Sequence, residues 1–376
     1  VLMKTEPKNF CKAPFRGLVV DNDGTLMPCC EFIRNESSIP QYKIWEFEKY
    51  RADTTLRQKM LNGEVDGGCR YCIKRESNGI NRRAYHSRLF KEEYESFQAD
   101  TLDVGHLEVR LGNFCNLKCT MCGPYASSQW SAEAKKNKEK FSQFNIGYIK
   151  LDHDWINNQE NKTLLKEILR NCVSANFGGG EPFINPFIND FLKEIKHDAE
   201  LSFNTNGTTL SDSTLSLLEN RPNLIVNISI DGIGDHNNYI RSGSVWQDIE
   251  TNVKRLKEKN IRVLFYYILQ HTSLFTFRPV YEYCMENEIA LEIGEIYSGS
   301  VDGSGHLTLS SADKLDVDRF KKWLSTINTP KVKVVHNWLK NYEFDNNLHT
   351  RFKQYFNMLD DVRGTDFVKT FNPSWT

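Results

Sequence analysis

Eight residues constrain this chain more than any others: Cys115-Asn-Leu-Lys-Cys119-Thr-Met-Cys122. Three thiols at the spacing C-x3-C-x2-C follow an apolar, strand-like stretch from His106 to Leu111. A tight loop carrying three soft thiolates can hold three irons of a cubane cluster, and it leaves the fourth iron without a cysteine. An iron in that position is open to an outside ligand. Zinc favours four closed protein ligands, typically as two C-x2-C pairs, and this loop supplies three.

The compartment decides what the other cysteines are for. No apolar run approaches the roughly 18 residues needed to span a bilayer. The first residues, Val1 to Lys8, carry no apolar signal core. The expected location is therefore a reducing cytoplasm, where ten cysteines argue for metal rather than disulfides. Eight of them fall early, at 11, 29, 30, 69, 72, 115, 119 and 122. Cys172 and Cys284 lie apart and read as buried small hydrophobes. A formal net charge of −1 gives no electrostatic case for nucleic acid or an anionic membrane as partner. With 376 residues, the chain suffices for one large domain and a smaller one.

The N-terminal part reads as a cysteine module. Gly17 to Asp21 predicts a short strand, Asn22-Asp23-Gly24 a hairpin turn and Thr25 to Met27 the return strand. That hairpin brings Cys11 and Cys29 near each other. Residues 41–62 show helical spacing, and Gly67-Gly68-Cys69-Arg-Tyr-Cys72 closes the segment. Cys11, Cys29, Cys69 and Cys72 thus offer four thiolates from two turns, with Cys30 able to replace Cys29. On chemistry alone such a site suits zinc or a 4Fe–4S cluster. Residues 74–105 read as a linker helix pair, with Arg75, Arg82, Arg83 and Arg88 on a solvated face or against acidic groups of the same protein.

From residue 106 onward, short apolar strands alternate with helical stretches, the pattern of a parallel α/β sheet. Strands are expected near 106–111, 173–177, 200–204, 224–230, 262–269 and 290–296. Helices are expected near 125–140, 160–170, 186–196, 211–219, 246–258 and 277–287. A flexible loop at 298–305 and amphipathic helices at 311–327, 332–341 and 346–359 complete the chain. Functional groups of parallel α/β sheets lie at the C-terminal ends of the strands. There the sequence places Gly178-Gly179-Gly180-Glu181, Thr205-Asn206-Gly207, Ser229-Ile-Asp231-Gly232 and Gln270, with Glu295 ending the sixth strand. Glycines allow close backbone approach to a ligand. Alternation sends Ser229 and Asp231 to one face. His236 and His271, near these loops, read as ordinary hydrogen-bonding residues.

These motifs together resemble the radical SAM superfamily, whose signature is C-x3-C-x2-C. The resemblance covers most of residues 11–296. It implies a partial (β/α)6 TIM-type barrel, with Cys115, Cys119 and Cys122 holding a 4Fe–4S cluster whose open iron is chelated by S-adenosylmethionine (SAM). An electron from the cluster then cleaves SAM, and the 5′-deoxyadenosyl radical abstracts hydrogen from a substrate. By the same resemblance Gly179, Gly180 and Glu181 meet the methionine amino group, and Asn206, Ser229 and Asp231 contact SAM, while Gln270, ending the fifth strand, reads as a contact to SAM or substrate. Arg241, in Tyr239-Ile-Arg241, pairs with the SAM carboxylate. The residue before the third cysteine is often aromatic in the family and packs near adenine. Here it is Met121, a departure.

The N-terminal module looks like the twitch domain, the shortened relative of the SPASM domain. This likeness implies that Cys11, Cys29, Cys69 and Cys72 hold an auxiliary 4Fe–4S cluster. In the family that module usually follows the core, whereas here it precedes it. The expected division is 1–104 for the twitch-like module and linker helices, 105–300 for the barrel and 301–376 for a C-terminal helical cap. The expected activity is hydrogen abstraction from a peptide or small metabolite, with oxidation, cyclisation or crosslinking supported by the auxiliary cluster. A flavodoxin- or ferredoxin-type protein is the implied reductant. The competing readings are an epimerase or rearrangement enzyme of the same family, and a non-catalytic binding protein that uses its cysteines for structural zinc.

Overall fold

The structure, a computed structural model, describes residues 6–77, 81, 83–151, 154–296, 304–340 and 342–373. Arg82, the Glu295 side chain and most of the expected loop at 298–305 lie outside the described residues. Eight strands form one open, mostly parallel sheet in the order β2-β1-β3-β4-β5-β6-β7-β8. They are β1 Gly17–Val20, β2 Leu26–Met27, β3 His106–Arg110, β4 Ser174–Gly178, β5 Glu200–Thr205, β6 Leu224–Ser229, β7 Arg262–Leu269 and β8 Ala290–Glu295. All six expected core strands are present within one or two residues. They form because their cores are runs such as Val-Leu-Phe-Tyr-Tyr-Ile, rich in β-branched and aromatic side chains, and in β5 and β6 burial alternates along the strand, so that one face is more deeply covered than the other.

The chief helices are α1 Arg70–Ser77, α2 Arg83–Leu89, α3 Ser128–Lys136, α4 Gln159–Asn171, α5 Asp235–Ile240, α6 Trp246–Glu258, α7 Ser273–Glu286, α8 Asn346–Arg363 and α9 Phe367–Phe371. In α6 the residues Ile249, Val253 and Leu256 recur at helical spacing and are buried, which leaves the charged face to solvent. Helix α7 starts a turn before the expected 277, and Pro279 is accommodated within its second turn. The expected helix at 186–196 is reduced to Ile188–Leu192.

The N-terminal hairpin departs most from expectation. Strand β1 pairs antiparallel with β2, as the turn predicts, with Val19 opposite Met27. It also pairs parallel with β3, from Gly17 opposite His106 to Val20 opposite Val109. The hairpin is therefore part of the sheet. Leu18, Val19 and Val20 are all 1% exposed or less, so the strand has no solvent face. A continuous apolar run without alternation is what a strand covered on both faces requires.

The chain divides into two compact units. One comprises residues 1–113, 151–203 and 221–224, and the other residues 114–150, 204–220 and 225–376. The first holds β1 to β4 and the N-terminal cysteines. The second holds the cysteine loop, β7, β8 and the C-terminal helices. Among the described residues, no helix is long and apolar enough to cross a membrane.

Candidate functional site

The cysteine loop of the second unit is held at nearly every peptide. Cys115 N–H donates to Ser128 Oγ at 3.3 Å, and Ser127, the N-cap of α3, donates from Oγ to the Leu117 carbonyl at 2.6 Å. Trp130 Nε1 donates to the Cys119 carbonyl at 2.7 Å, and Tyr355 Oη of α8 donates to the Thr120 carbonyl at 2.7 Å. The N–H groups of Lys118 and Thr120 donate to the carbonyls of Ser242 and Ile240, both at 2.8 Å.

Those last two bonds fix a register. Residue 118 is bonded to 242 and residue 120 to 240, so Cys119 stands directly opposite Arg241, as in an antiparallel pair, and the two side chains share a face. Arg241 Nη1 lies 3.7 Å from Cys119 Sγ, and Arg241 Nη2 lies 2.6 Å from an Asp231 carboxylate oxygen. Gly243 turns the chain out of this pairing with φ +99°, and a side chain there would meet the Asn116 carbonyl at 3.1 Å. Arg241 and Asp231 are both buried. Burial pushes the Asp231 carboxyl up, against the pull of the Arg241 charge.

The three thiols are electrostatic neighbours. Burial pushes Cys122 up to about 12, and the Cys119 and Cys115 sulfurs add to the rise. Cys119 is raised as well, chiefly by burial, with Arg241 working in the opposite direction. Asn206 ties β5 to this loop. Its Nδ2 donates to Asn116 Oδ1 at 2.9 Å, while its Oδ1 accepts from Thr208 N–H at 2.9 Å in an Asx turn. Ser229 ends β6, half-buried, and Gln270 follows β7 with 1% exposure. The Nε2 of Gln270 and the Nε of Arg241 are buried donors without a hydrogen-bond partner among the described residues. Met121 packs against the aromatic cluster around Trp130 and Tyr355.

In the first unit, Gly179 has φ +100°, and a Cβ there would lie 2.9 Å from both Asn22 Oδ1 and the Gly112 carbonyl. Gly180 N–H donates to that Gly112 carbonyl at 2.9 Å. Glu181 is 2% exposed and caps the short turn Pro182–Ile184 by accepting from Phe183 N–H at 3.1 Å. The loop after β4 is thus a tight backbone structure closed over by Asn22, a residue from the N-terminal hairpin that sequence reasoning took for a turn.

Cys11, Cys29, Cys69 and Cys72 line one cavity of about 40 Å³, several times the 10–15 Å³ that a water needs. Phe32 and Arg83 complete its wall. The pair Gly67-Gly68 is required by close approach: a Cβ on Gly67 would lie 1.9 Å from the Glu36 carbonyl, and one on Gly68 2.4 Å from the Phe32 ring. Asp66 caps the turn through Gly68 N–H at 2.9 Å. Burial pushes Cys11 up to about 11 and Cys69 up to about 12, with Cys72 adding to both and Cys11 adding to Cys69. Cys29 is raised by burial and then by Cys30, Cys11 and Cys69. Cys30 is exposed and does not line the cavity. Arg83, one of the basic residues expected to meet acidic groups, pairs with Glu76 and donates from Nη1 to the Phe10 carbonyl at 2.9 Å. Arg88 pairs likewise with Glu200, at 2.7 and 2.9 Å.

Residues 109–284 match the family model of the Radical SAM superfamily. Over those residues the chain is similar to that superfamily. It is similar to the solved structure of native anSMEcpe with bound AdoMet and Cp18Cys peptide, at 19% identity and a TM-score of 0.40 over 59% of each chain. This chain therefore spans 59% of the length of anSMEcpe. It is also similar to Streptococcus suis SuiB bound to the precursor peptide SuiA, at 13% identity and a TM-score of 0.39, over 96% of this chain and 78% of SuiB. No curated protein matches the chain.

The donor sets fit what a radical SAM domain must hold. Among the described residues, no three Cys, His, Asp or Glu side chains converge as the ligands of a single ion do. In a cube each cysteine meets its own iron, so the thiols stand farther apart than ligands sharing one ion. Metal binding displaces the protons that burial keeps on these thiols. Asn116, Tyr355 and Asn22 are the site residues that sequence reasoning missed. Only Asn116 carried a signal, as a polar residue inside the cysteine loop.

Proposed function

We propose that this protein is a radical SAM enzyme that abstracts hydrogen from a peptide or small metabolite and carries out oxidation, cyclisation or crosslinking with the help of an auxiliary cluster. The observation that carries the reading is the pairing of Cys119 with Arg241 on a loop whose three thiols influence one another. A second group of four thiols around one cavity supports the auxiliary cluster.

When bound, a 4Fe–4S cluster supplies one electron to SAM, whose carbon–sulfur bond breaks to leave methionine and a 5′-deoxyadenosyl radical that takes hydrogen from the substrate. The chain's own residues do the rest. Cys115, Cys119 and Cys122 hold three irons and leave one open. By the resemblance, Gly179, Gly180 and Glu181 would offer backbone and carboxylate acceptors to the methionine ammonium. Ser229, Gln270 and Arg241 Nε offer hydrogen bonds to the carboxylate and ribose of SAM. The aromatic cluster behind Met121 excludes water from the loop. Cys11, Cys29, Cys69 and Cys72 would hold the four irons of an auxiliary cluster and leave none open, which would suit electron transfer rather than substrate ligation.

The test is iron and sulfide content with electron paramagnetic resonance on anaerobically reconstituted protein. Two clusters of four irons predict about eight per chain, and about four in a Cys115/Cys119/Cys122→Ala variant. SAM should perturb only the wild-type signal, and dithionite should release 5′-deoxyadenosine from wild type alone. Protein that takes up no iron would overturn the proposal, and four irons with one zinc would remove the auxiliary role.

A further inference from the structure

We propose that Arg241 and Asp231 together set the reduction potential of the cluster on Cys115, Cys119 and Cys122, a role separate from SAM binding and resting on the function proposed above. The register of the cysteine loop places Arg241 opposite Cys119, so the contact is built into the backbone rather than left to a flexible side chain. Nη1 reaches the sulfur at 3.7 Å and Nη2 the Asp231 carboxylate at 2.6 Å. The guanidinium is held on its far side by Asp231, and both residues are buried.

The physical consequence follows from charge. Reduction adds one negative charge to the cluster. A cation that donates a hydrogen bond to a ligating sulfur stabilises the reduced state more than the oxidised one and raises the potential. Burial weakens solvent screening, so the effect of one guanidinium is large. Asp231 has the opposite sign and stands on the far side of the same guanidinium. It offsets part of the rise and keeps the cluster a strong enough reductant for SAM. A neutral neighbour in place of the pair would not give this balance, and neither residue alone would.

Two opposed shifts are therefore expected in the full chain reconstituted anaerobically and titrated potentiometrically without SAM, with the signal read by electron paramagnetic resonance. Arg241→Gln moves the midpoint to more negative potential, Asp231→Asn moves it to more positive potential, and Arg241→Lys stays near wild type. A merely structural role would move Arg241→Gln and Asp231→Asn in the same direction or neither. Unchanged midpoints, with SAM binding alone weakened in Arg241→Gln, would overturn the inference and leave Arg241 a carboxylate ligand only. Should Arg241→Gln take up no iron, Asp231→Asn decides: a midpoint that stays in place or falls overturns the inference. Wild-type protein without iron overturns the functional reading itself and is distinct from all of these results.

Discussion

Arg363, the last residue of α8, donates from Nε and Nη2 to Oε2 of Glu133 in α3, at 3.1 and 2.7 Å. Its guanidinium lies over the Trp130 ring, 4.9 Å from the centroid. Lys118 Nζ meets the other Glu133 oxygen at 2.6 Å. Because Trp130 also donates to the Cys119 carbonyl, the end of the chain is mechanically linked to the cysteine loop. Arg363→Ala leaves Glu133 buried with one cation instead of two. Breaking a buried pair costs about 3–5 kcal/mol, and the lower end is expected because Lys118 remains. The expected result is a lower melting temperature and reduced iron uptake with every cysteine intact, partly restored by Arg363→Lys. Calorimetry and iron analysis on the two variants check it.

Gly179→Ala forces a side chain onto a residue at φ +100° and into the space of Asn22 and the Gly112 carbonyl. Strain of this kind costs about 1–3 kcal/mol. The loop must shift to accept the methyl group, so the SAM-induced change in the resonance spectrum should disappear while iron content stays near wild type.

Cys29 and Cys30 are adjacent in sequence but differ in what they face. Cys29→Ala is expected to lower iron from about eight to about four per chain, the loss of one cluster. Cys30→Ala should leave the count unchanged. Iron analysis of the two variants side by side decides it.

Acid should loosen the first unit through two buried histidines. Burial holds His86 down to about 4 and His106 down to about 3, the latter lowered further by His86, against an ordinary value of 6.5. The folded state therefore keeps both neutral where the unfolded chain would protonate them. Their contribution to stability is complete above pH 6.5 and is lost as pH falls through that value toward the folded values. Each can steepen the loss by at most about 1.4 kcal/mol per pH unit. His86 stacks on Phe90, and His86→Phe replaces it without a charge to bury. Denaturant titrations between pH 7 and 4 should show a shallower decline in that variant than in wild type.

Much of the fold was legible because its strands are apolar runs with helical stretches between them, and from β3 onward the sheet order follows the chain. The C-x3-C-x2-C motif and the glycine loop were legible because rare residues at fixed spacing need little context. The antiparallel contact between the cysteine loop and residues 240–242 was not legible. It depends on two backbone hydrogen bonds between segments more than a hundred residues apart, which no local pattern encodes. The parallel pairing of β1 had a signal, Gly-Leu-Val-Val without alternation, but the adjacent Asn-Asp-Gly turn pointed to a free-standing hairpin. Tyr355 read as part of an amphipathic helix and Arg363 as part of a polar tail after it, and their partners lie in a loop and a helix far back in the chain.

The place of β1 in the sheet has a consequence for how the protein is made. Cys11, Cys29, Cys69 and Cys72 leave the ribosome before the barrel does, yet β1, between Cys11 and Cys29, has its parallel partner at His106 to Val109, about ninety residues later in the sequence. Until that segment emerges, the strand joining the first two thiols has a bare edge. If the four thiols load metal as proposed above, that loading is expected only after residues 106–109 have been synthesised. A fragment ending before residue 106 would present four thiols and no assembled site.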